Sequence, residues 1–419
     1  MSQSLTAYPK TDHLTPTASR ERTRVAYVFT VALSIGMIRG SVPHLIEQGF
    51  DVSVISSAGW ELDAVRQEGA TTYALEMKRH PSPAKDLWCV WALIRLFRRI
   101  RPDVTNVGTP KAGLLGGLAA VMARVPYRVY TLHGLRLETV RGPKRLLLWF
   151  FEWVACRCAH RVNCVSPTLL ERARAMRLVS KRRSTVLGAG SLNGIHIEQY
   201  AATSEHQEAT TLLRRKLRLS AGALVIGFVG RLTKDKGVGE LYQAFVSIVE
   251  QFPEARLLLV GQYEEGDPVP AEVRLRIDQD RRVVVTGWLH TVHPYYRVMD
   301  VFGFPSHREG LPTVLLEAQA SSVPIAATCA TGMRDAMVDG ETGFLTPVGD
   351  VPALTESLRT LLADKALRRK MGEAGQKFVA EKFGSVIVWQ RLEAEYRRGL
   401  HSRKGADHGL RTDVRDVHA

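Results

Sequence analysis

Two glutamates eight positions apart form the pair with the clearest chemical potential. Glu309 and Glu317 both lie in PSHREGLPTVLLEAQASSVP, residues 305–324. Pro312 suits the first turn of a helix, where its missing N–H is not needed, so Glu309 is expected just before a helix and Glu317 more than one turn inside it. Carboxylates accept hydrogen bonds from vicinal hydroxyl groups, and eight residues of helix would span about 12 Å. The spacing fits one ligand with a sugar at one end and a nucleoside at the other. The alternative is a surface glutamate and a snorkelling one, without a ligand.

A second group is a pair of cations in IGFVGRLTKDKGVGELYQAF, residues 226–245. Arg231 follows Gly230 at the end of an apolar run, and Lys236 lies beside Gly237 near the start of a helical pattern. Two cations and a nearby helix N-terminus favour a diphosphate ligand. The stretch lacks the G-x-x-x-x-G-K-[ST] pattern of a P-loop. Taken alone, it is equally compatible with a solvated turn.

Short apolar runs alternate with helical patterns and must position these residues. In the first half, the runs predict strands at 25–31, 51–57, 71–75, 103–108, 127–133 and 161–166. In the second half, they predict strands at 224–230, 255–261, 281–287, 301–306, 324–328 and 343–347. Alternation of strand and helix predicts parallel sheets with helices on both faces. The expected fold class is therefore α/β, with two doubly wound, Rossmann-like domains facing across a cleft.

The chain has 419 residues, which is too long for a single hydrophobic core. Residues 196–222 are polar and lack a strand pattern, so they predict a domain boundary near residue 200. The expected domains are 25–200 and 201–385. A helix over 386–400 is expected to return to the N-terminal domain. The polar segments 1–24 and 401–419 are predicted to be disordered tails.

Composition narrows the class of protein. No apolar run reaches the roughly 20 residues that span a bilayer, and the polar N-terminus does not resemble a signal peptide. The five cysteines are too scattered for a disulfide framework, so Cys156 and Cys158, near His160, are expected to be buried thiols in a cytoplasmic protein. The net charge is +15, and residues 25–195 carry 24 Lys and Arg against 11 Asp and Glu. This basic half favours an anionic partner, although a solvated basic surface is the alternative.

The motifs of the second half together resemble a known family. FVGRLTKDKG, VVVTGWL, DVFGFPSHREGLPTVLLEA and DGETGFLTPVGDVPAL are similar, in order and spacing, to the donor domain of retaining glycosyltransferases of family 4, which have the GT-B fold. The resemblance covers roughly residues 223–385. It implies that Glu309 contacts the donor hexose and that Glu317 holds the ribose hydroxyls. It further implies that Arg231 and Lys236 clamp the diphosphate, and that the donor also contacts Gly230, Gly310, Leu311, Pro312 and Thr313.

The first half is similar to the acceptor domain of family members that build capsule, O-antigen and exopolysaccharide. TPKAGLLGGLAA, YTLHGLRLET, VNCVSPTL and GAGSLNGIHIEQY carry this likeness. It implies that His133, at a strand end, lies beside the donor sugar, whereas a structural histidine is the alternative. Two positions depart from the family pattern. TVALSIGMIRG replaces a Gly-Gly loop after the first strand, and Gly108 stands where relatives often carry a histidine.

Two basic, aromatic helical stretches suggest where the acceptor lies. DLWCVWALIRLFRRIRP (86–102) contains Trp88, Trp91, Leu96 and Phe97, and GPKRLLLWFFEWVACRCAHR (142–161) follows Arg141 and contains Lys144 and Arg145. Such helices bind anionic bilayers, although their apolar faces also suit packing on a sheet. With the basic charge, they predict peripheral attachment to the inner face of the cell membrane. The family then implies a polyprenyl-diphosphate-linked sugar as the acceptor.

The resemblance also implies a mechanism. The two cations stabilise a leaving nucleoside diphosphate, most commonly UDP, without a metal or other cofactor. Attack comes from the front face, with Glu309 positioning the sugar and His133 binding its hydroxyl edge. The DQD at 278–280 lies far from the motifs and is not expected to bind a metal. Alternatives are a nucleotide-sugar epimerase of the same fold and a membrane-docked scaffold without activity. No G-x-G-x-x-G fingerprint supports a dehydrogenase, and no nucleic-acid-binding module is present.

Overall fold

A computed structural model describes residues 22–78, 80–191, 193–200 and 203–412, with only the backbone of 404–412. The chain divides into two compact units. Unit 1 comprises the residues up to Val165, Leu169–Asn193 and the residues from Val386, and unit 2 comprises Ser166–Thr168 and Gly194–Ser385. The main division thus falls a few residues before the boundary expected near residue 200. The last helix belongs largely to unit 1.

Unit 1 is built on a seven-stranded parallel sheet with the order β3-β2-β1-β4-β5-β6-β7. Its strands are β1 (Thr23–Val28), β2 (Phe50–Ser56), β3 (Thr71–Ala74), β4 (Val104–Gly108), β5 (Tyr127–Leu132), β6 (Arg161–Cys164) and β7 (Ser184–Thr185). Strand β1 pairs with β2 through Val25↔Val52 and with β4 through Val25↔Val104. The order of strands therefore reverses between β1 and β4, which is where doubly wound sheets bind ligands.

In the described part of unit 1, seven α-helices accompany the sheet. They are α1 (Ser41–Glu47), α2 (Trp60–Gln67), α3 (Pro83–Ile100), α4 (Pro110–Met122), α5 (Pro143–Cys158), α6 (Pro167–Ala175), which straddles the division, and the C-terminal α15 (Ser385–Thr412). Short 3₁₀ helices occupy Ala32–Ile38 and Arg136–Glu138, and a third, Ile197–Tyr200, belongs to unit 2. Several helices begin with proline, which fits the first turn without losing a hydrogen bond.

Unit 2 repeats the architecture with a six-stranded parallel sheet, in the order β10-β9-β8-β11-β12-β13. The strands are β8 (Leu224–Val229), β9 (Ala255–Val260), β10 (Val283–Val285), β11 (Val301–Phe304), β12 (Ile325–Thr328) and β13 (Gly343–Thr346). The helices are α7 (Ser204–Lys216), α8 (Val238–Ile248), α9 (Ala271–Gln279), α10 (His293–Tyr296), α11 (Thr313–Ala320), α12 (Met333–Ala336), α13 (Val351–Ala363) and α14 (Lys365–Phe383). The order reverses between β8 and β11.

The strands that the apolar runs predict are all present. The central ones are buried along almost their whole length, because helices cover both faces of each sheet. Three features lie outside the prediction or differ from it. The edge strand β7 was not predicted, and helix α7 lies within the segment 196–222, for which only the absence of a strand was predicted. Helix α15 continues to Thr412. The prediction of a disordered tail over 401–419 is therefore wrong for residues 401–412. Most of the predicted N-terminal tail, and residues 413–419, lie outside the described residues.

None of the helices in the described part of the chain is both long enough and apolar enough to cross a membrane. Cys156 and Cys158 are buried, as predicted, on the inner face of α5. Burial raises the pKa of both thiols. His160 lies against Arg128, with its Nε2 atom 2.7 Å from the guanidinium, so it contributes to packing of β5 and β6 rather than to a thiol cluster.

Candidate active site

The first element of the site is the turn after β8. Gly230 has a φ of 149° and leads into Arg231, whose guanidinium lies 2.7 Å from the carboxylate of Glu264. A Cβ atom on neighbouring Gly261 would lie 1.8 Å from the Gly230 carbonyl oxygen. The two turns at the carboxyl ends of β8 and β9 are thus in close contact. This contact holds Arg231 beside Glu264, a residue that the motifs did not identify.

The second element is the start of α8. Gly237 immediately precedes the helix with a φ of 71°. A Cβ atom here would lie only 2.1 Å from the carbonyl oxygen of Pro305, at the end of β11. Glycine is required because the position combines a left-handed conformation with a close backbone approach. The α8 terminus is therefore packed directly against the end of β11, and Lys236 lies at that contact.

Glu309 lies on the other side of this contact. Its carboxylate pairs with the ammonium group of Lys236, and each side chain is only 14 % exposed. The buried Ser306 hydroxyl donates to the same carboxylate, at 3.0 Å. Lys236 also lies 5.7 Å from the ring centroid of Phe304. Two residues predicted to bind one ligand are thus in direct contact at the point where the strand order reverses.

Two further ion pairs surround this contact, and sequence motifs alone did not reveal them. Arg308 lies 2.9 Å from Asp235, and His307 lies 2.7 Å from Glu240 in the first turn of α8. The hydrogen bond to Glu240 raises the pKa of His307. Burial opposes ionisation of Asp235, but its hydrogen bond from Thr233 and the nearby cations hold its pKa below the ordinary value. These pairs join the loop after β8 to the loop after β11.

The loop 310–313 leads into α11. Gly310, Leu311 and Pro312 are buried, and Thr313 is the first helical residue. Pro312 precedes the helix rather than lying in its first turn, because its ψ of 101° is extended. A Cβ atom on Gly332, where φ is 80°, would lie 2.2 Å from the Gly310 carbonyl oxygen. The loop is therefore held tightly from behind, with the N-terminus of α11 at the carboxyl edge of the sheet.

Glu317 is the fifth residue of α11. It therefore lies more than one turn inside the helix, as predicted. The hydroxyl of Tyr296, itself fully buried, donates to the Glu317 carboxylate at 2.6 Å. Burial raises the pKa of Glu317, and the hydrogen bond from Tyr296 opposes that effect. A polar group held in this way is fixed in orientation and can accept further hydrogen bonds.

His133 belongs to unit 1, where it directly follows β5. Both of its ring nitrogens are buried, and burial lowers its pKa to about 4. The imidazole is therefore neutral at pH 7. Gly108, at the end of β4, leaves room for it, because a Cβ atom there would lie 2.8 Å from His133 Nε2. The departure at position 108 is thus linked to the placement of His133.

The two basic helices of unit 1 differ in what they expose. Helix α5 buries Glu152, which accepts a 2.6 Å hydrogen bond from Tyr130. It exposes the apolar side chains Leu146 (69 %), Leu147 (51 %), Phe150 (49 %) and Phe151 (36 %). On α3, Leu96 and Phe97 are buried in the core, which is the packing alternative for this stretch. Trp91 stays 52 % exposed, with the Arg95 guanidinium 4.7 Å from its ring centroid.

Within unit 2, two cations and two carboxylates thus surround the carboxyl ends of β8 and β11. Arg231 and Lys236 can oppose negative charge, and the nearby helix N-termini add to that field. Glu309 and Glu317 can accept hydrogen bonds from hydroxyl groups. In the DQD segment, Asp280 is engaged by Arg282 at 2.8 Å. Among the described residues, no group of three or more His, Cys, Asp or Glu side chains is placed to hold a metal ion.

Comparison with known proteins agrees with this geometry. Residues 37–190 match the family model described as "Glycosyl transferase 4-like domain", and residues 223–364 match "Glycosyl transferases group 1". The chain is 37 % identical to the capsular polysaccharide biosynthesis glycosyltransferase CapM of Staphylococcus aureus, over 91 % of this chain and 99 % of that protein. It is 25 % identical to a UDP-Gal:alpha-D-GlcNAc-diphosphoundecaprenol alpha-1,3-galactosyltransferase of Escherichia coli, over 84 % and 90 % of the two chains.

Solved structures share the architecture. Anabaena HepE in complex with UDP superposes with a TM-score of 0.73 at 20 % identity, covering 90 % of this chain and all of that one. Sucrose-phosphate synthase from Thermosynechococcus elongatus gives 0.74 at 20 % identity, covering 91 % and 100 %. The two parallel-sheet units and their charged loops define a glycosyltransferase with the GT-B fold. The chain belongs to the family-4 glycosyltransferases, as its motifs predicted, and it is an enzyme.

Proposed function

We propose that the chain transfers a hexose or N-acetylhexosamine from a UDP-sugar to a polyprenyl-diphosphate-linked saccharide during assembly of a bacterial surface glycan, with retention of configuration. The observation that carries this proposal is the contact between Lys236 and Glu309, with Arg231 and the half-buried Glu317 on the same sheet edge. A ligand with hydroxyls at both ends and a diphosphate between them matches that order of charges. The relatives in S. aureus and E. coli support the polysaccharide and the lipid-linked acceptor.

In this proposal, the cations Arg231 and Lys236 bind the donor diphosphate. Arg231 is already paired with Glu264, and Lys236 with Glu309. The diphosphate therefore either replaces these carboxylates as the partner of each cation or binds the cation alongside them. Glu317 accepts hydrogen bonds from the ribose, because its carboxylate is held by Tyr296. Glu309 accepts from the hexose. Gly230, Gly310, Leu311, Pro312 and Thr313 form the backbone around the donor.

The bond between the anomeric carbon and the diphosphate oxygen breaks, and its electrons pass to the departing diphosphate. Arg231, Lys236 and the α11 N-terminus stabilise that charge because they are fixed in place before the reaction. The acceptor hydroxyl attacks from the same face, and its proton passes to the leaving group. His133, neutral at pH 7, binds the sugar's hydroxyl edge. The cations supply the electrostatic stabilisation, so the proposed reaction has no resident cofactor or metal.

We further propose that the exposed face of α5, with Arg141, Lys144 and Arg145 at its N-terminal end, attaches the enzyme to the inner face of the cell membrane. Leu146, Leu147, Phe150 and Phe151 recur at helical spacing on one face. An apolar face flanked by cations binds anionic lipid surfaces. That surface is where a lipid-diphosphate acceptor is available.

The test is a transfer assay with purified enzyme, UDP-, GDP- and ADP-sugars, and a polyprenyl-diphosphate-linked acceptor, with the anomer of the product determined by NMR. We expect transfer from one UDP-sugar with retention, and a donor-dependent rise in melting temperature that Arg231→Ala and Glu317→Gln abolish. Arg274→Ala, which removes a surface cation of unit 2 outside the site, should leave both intact. Epimerised donor without a glycosylated product, or an inverted product, would contradict the proposal.

A further inference from the structure

A small cavity lies under the carboxyl edge of the unit 1 sheet. One wall is formed by side chains that share a face of four neighbouring strands, because alternate residues of a strand point to the same side. These are Tyr27 of β1 and Phe29 just after it, Asn106 and Gly108 of β4, Thr131 of β5 and His133 just after it, and Asn163 of β6. The remaining lining residues are mostly apolar, including Met37, Ile38, Leu187, Val388 and Leu392, and Ser191 also lines the cavity. The cavity has a volume of about 40 Å³.

Two polar side chains in this cavity have no hydrogen-bond partner among the described residues. They are His133, through both ring nitrogens, and Asn163, through both its amide oxygen and its amide nitrogen. Asn163 is only 4 % exposed. A buried polar group without a partner is energetically costly, and such groups are rare in native proteins. Two of them in one cavity therefore indicate a bound polar species.

The neighbouring polar groups are, in contrast, fully connected. Thr131 donates to the Asn106 oxygen at 2.8 Å, and the Asn106 amide donates to the Tyr396 hydroxyl at 2.7 Å. Tyr396 in turn donates to Tyr27 at 2.9 Å. This network links α15 to the sheet and ends at Thr131. Asn163 is the register partner of Thr131 on β6, so the two unpartnered side chains extend an otherwise satisfied network.

The imidazole of His133 is confined on its other side. A Cβ atom on Gly108 would lie 2.8 Å from His133 Nε2 and equally close to the Phe29 ring. His133 Nε2 and the Phe29 ring therefore both lie beside the Gly108 backbone, and neither of these neighbours is a hydrogen-bond partner of the imidazole among the described residues. A neutral imidazole has one donor and one acceptor nitrogen. The carboxamide of Asn163 provides both complementary functions.

We propose that ordered water in this cavity joins Asn163 to His133, and that Asn163 is a positioning residue which fixes the tautomer and orientation of the imidazole. The volume is sufficient, because each water needs roughly 10–15 Å³ of such space and two to four polar partners. Asn163, His133 and Thr131 supply those partners. The consequence for catalysis rests on the proposed role of His133 in sugar transfer, whereas the hydration and the tautomer do not.

The first test is a high-resolution crystal structure of the full chain. We expect at least one ordered water within hydrogen-bond distance of both the Asn163 amide and a His133 ring nitrogen. A cavity without such a water would overturn the proposal. This measurement needs neither a substrate nor a variant.

The second test is the ¹⁵N NMR spectrum of the His133 ring, assigned by its loss in His133→Gln. We expect one dominant tautomer in the wild type, a mixture in Asn163→Leu, and recovery of one tautomer in Asn163→Ser, which retains a donor and an acceptor. Thr105→Val, on the opposite face of β4, is the matched control and should leave the spectrum unchanged. An unchanged spectrum in a folded Asn163→Leu would also overturn the proposal.

Steady-state kinetics then separate positioning from structure. We expect Asn163→Leu to lower kcat about tenfold with the donor KM unchanged, and Asn163→Ser to recover most of the loss. If the wild type transfers no sugar to any acceptor, the proposed function fails while the NMR result still decides the role of Asn163. If transfer occurs and Asn163→Leu changes only the melting temperature, the positioning role is excluded.

Discussion

Lys236 and Glu309 form an ion pair whose two side chains are each only 14 % exposed. They come from loops that follow different strands, β8 and β11, and they meet because Gly237 allows the start of α8 to contact the backbone of Pro305. The pair thus depends on the order of strands in the sheet rather than on sequence proximity. The pair places the cation proposed to bind phosphate next to the carboxylate proposed to bind a sugar hydroxyl.

The first prediction concerns the free energy of unfolding. Lys236→Met and Glu309→Gln should each destabilise the protein because each leaves a partly buried group without its partner. Their double-mutant cycle should give a coupling free energy of about 1–3 kcal/mol, measured by urea denaturation. The exposed pair Arg369–Glu373, whose side chains are 79 % and 70 % exposed, is the control and should couple by less than about 0.5 kcal/mol. Equal coupling free energies in the two pairs would contradict the conclusion that Lys236 and Glu309 form a partly buried ion pair.

The second prediction separates binding from stability at Glu317. Glu317→Gln keeps an oxygen that can accept the Tyr296 hydrogen bond but removes the charge. Donor affinity should fall about 10- to 100-fold, as expected for loss of a charged hydrogen bond, while stability at neutral pH stays the same or rises. Calorimetric titration with the donor and denaturation on the same samples measure both. Tyr296→Phe should instead lower stability.

The pH dependence of stability has a definite sign at this residue. Burial raises the pKa of Glu317 above its ordinary 4.5, so the folded state retains the proton more strongly than the unfolded state. Its contribution to stability is present below pH 4.5 and is lost as the pH rises through the raised value. Glu317→Gln should lack this loss. The same pH dependence of stability in the wild type and in Glu317→Gln would contradict a raised pKa at Glu317.

Sequence patterns identified most of the fold because the buried strands are continuous apolar runs. They also placed Glu309 and Glu317 correctly about the start of α11. The side chains that contact the site residues could not be predicted from sequence patterns. Glu264 and Tyr296 reach the site from the ends of other elements, and no periodicity links them to Arg231 or Glu317. The acidic turn after β9, YEEGD, was the available signal for Glu264.

Polar segments and single side chains gave weaker signals than the apolar strands. Helix α7 is entirely free of buried residues, yet Thr203 caps it by accepting from the His206 N–H at 3.3 Å. Composition left two alternatives for Leu96 and Phe97, membrane binding or packing on the sheet, and their phase on α3 places them inward. Asn163 carried a usable signal, because an amide within the apolar strand RVNCVS needs a partner.

The third prediction compares two glycines with similar backbone conformations. Gly237 and Gly340 have φ values of 71° and 76°. A Cβ atom added to Gly237 would lie 2.1 Å from the carbonyl oxygen of Pro305, whereas one added to Gly340 would have no neighbour within 4 Å. Gly340→Ala should cost only the conformational strain, about 1 kcal/mol. Gly237→Ala should cost clearly more and also weaken donor binding, because α8 and Lys236 must shift. Denaturation and donor titration measure this. Similar costs at both positions would contradict the close contact.

The fourth prediction concerns acid stability in unit 1. Burial lowers the pKa of His133 from 6.5 to about 4, so the unfolded state binds more protons in that interval. Stability should therefore fall as the pH decreases from 6.5 to 4, with a slope approaching 1.4 kcal/mol per pH unit from this group. His160, with a pKa lowered to about 3 by burial and by Arg128, contributes in the same direction. His133→Gln should reduce the slope, and an unchanged slope in that variant would contradict the prediction.

The fifth prediction tests the exposed face of α5. Phe150→Ser combined with Phe151→Ser should weaken binding to phosphatidylglycerol-rich vesicles at least tenfold, because burial of each ring contributes on the order of 1.5–3 kcal/mol. Lys144→Gln with Arg145→Gln should weaken binding to these vesicles, at about 1 kcal/mol per cation, but not to phosphatidylcholine vesicles. Leu212→Ser, at a 68 % exposed side chain of unit 2, is the matched control. Vesicle sedimentation at two salt concentrations measures each effect. Equal losses in the α5 variants and the Leu212 variant would exclude α5 as the membrane-binding surface.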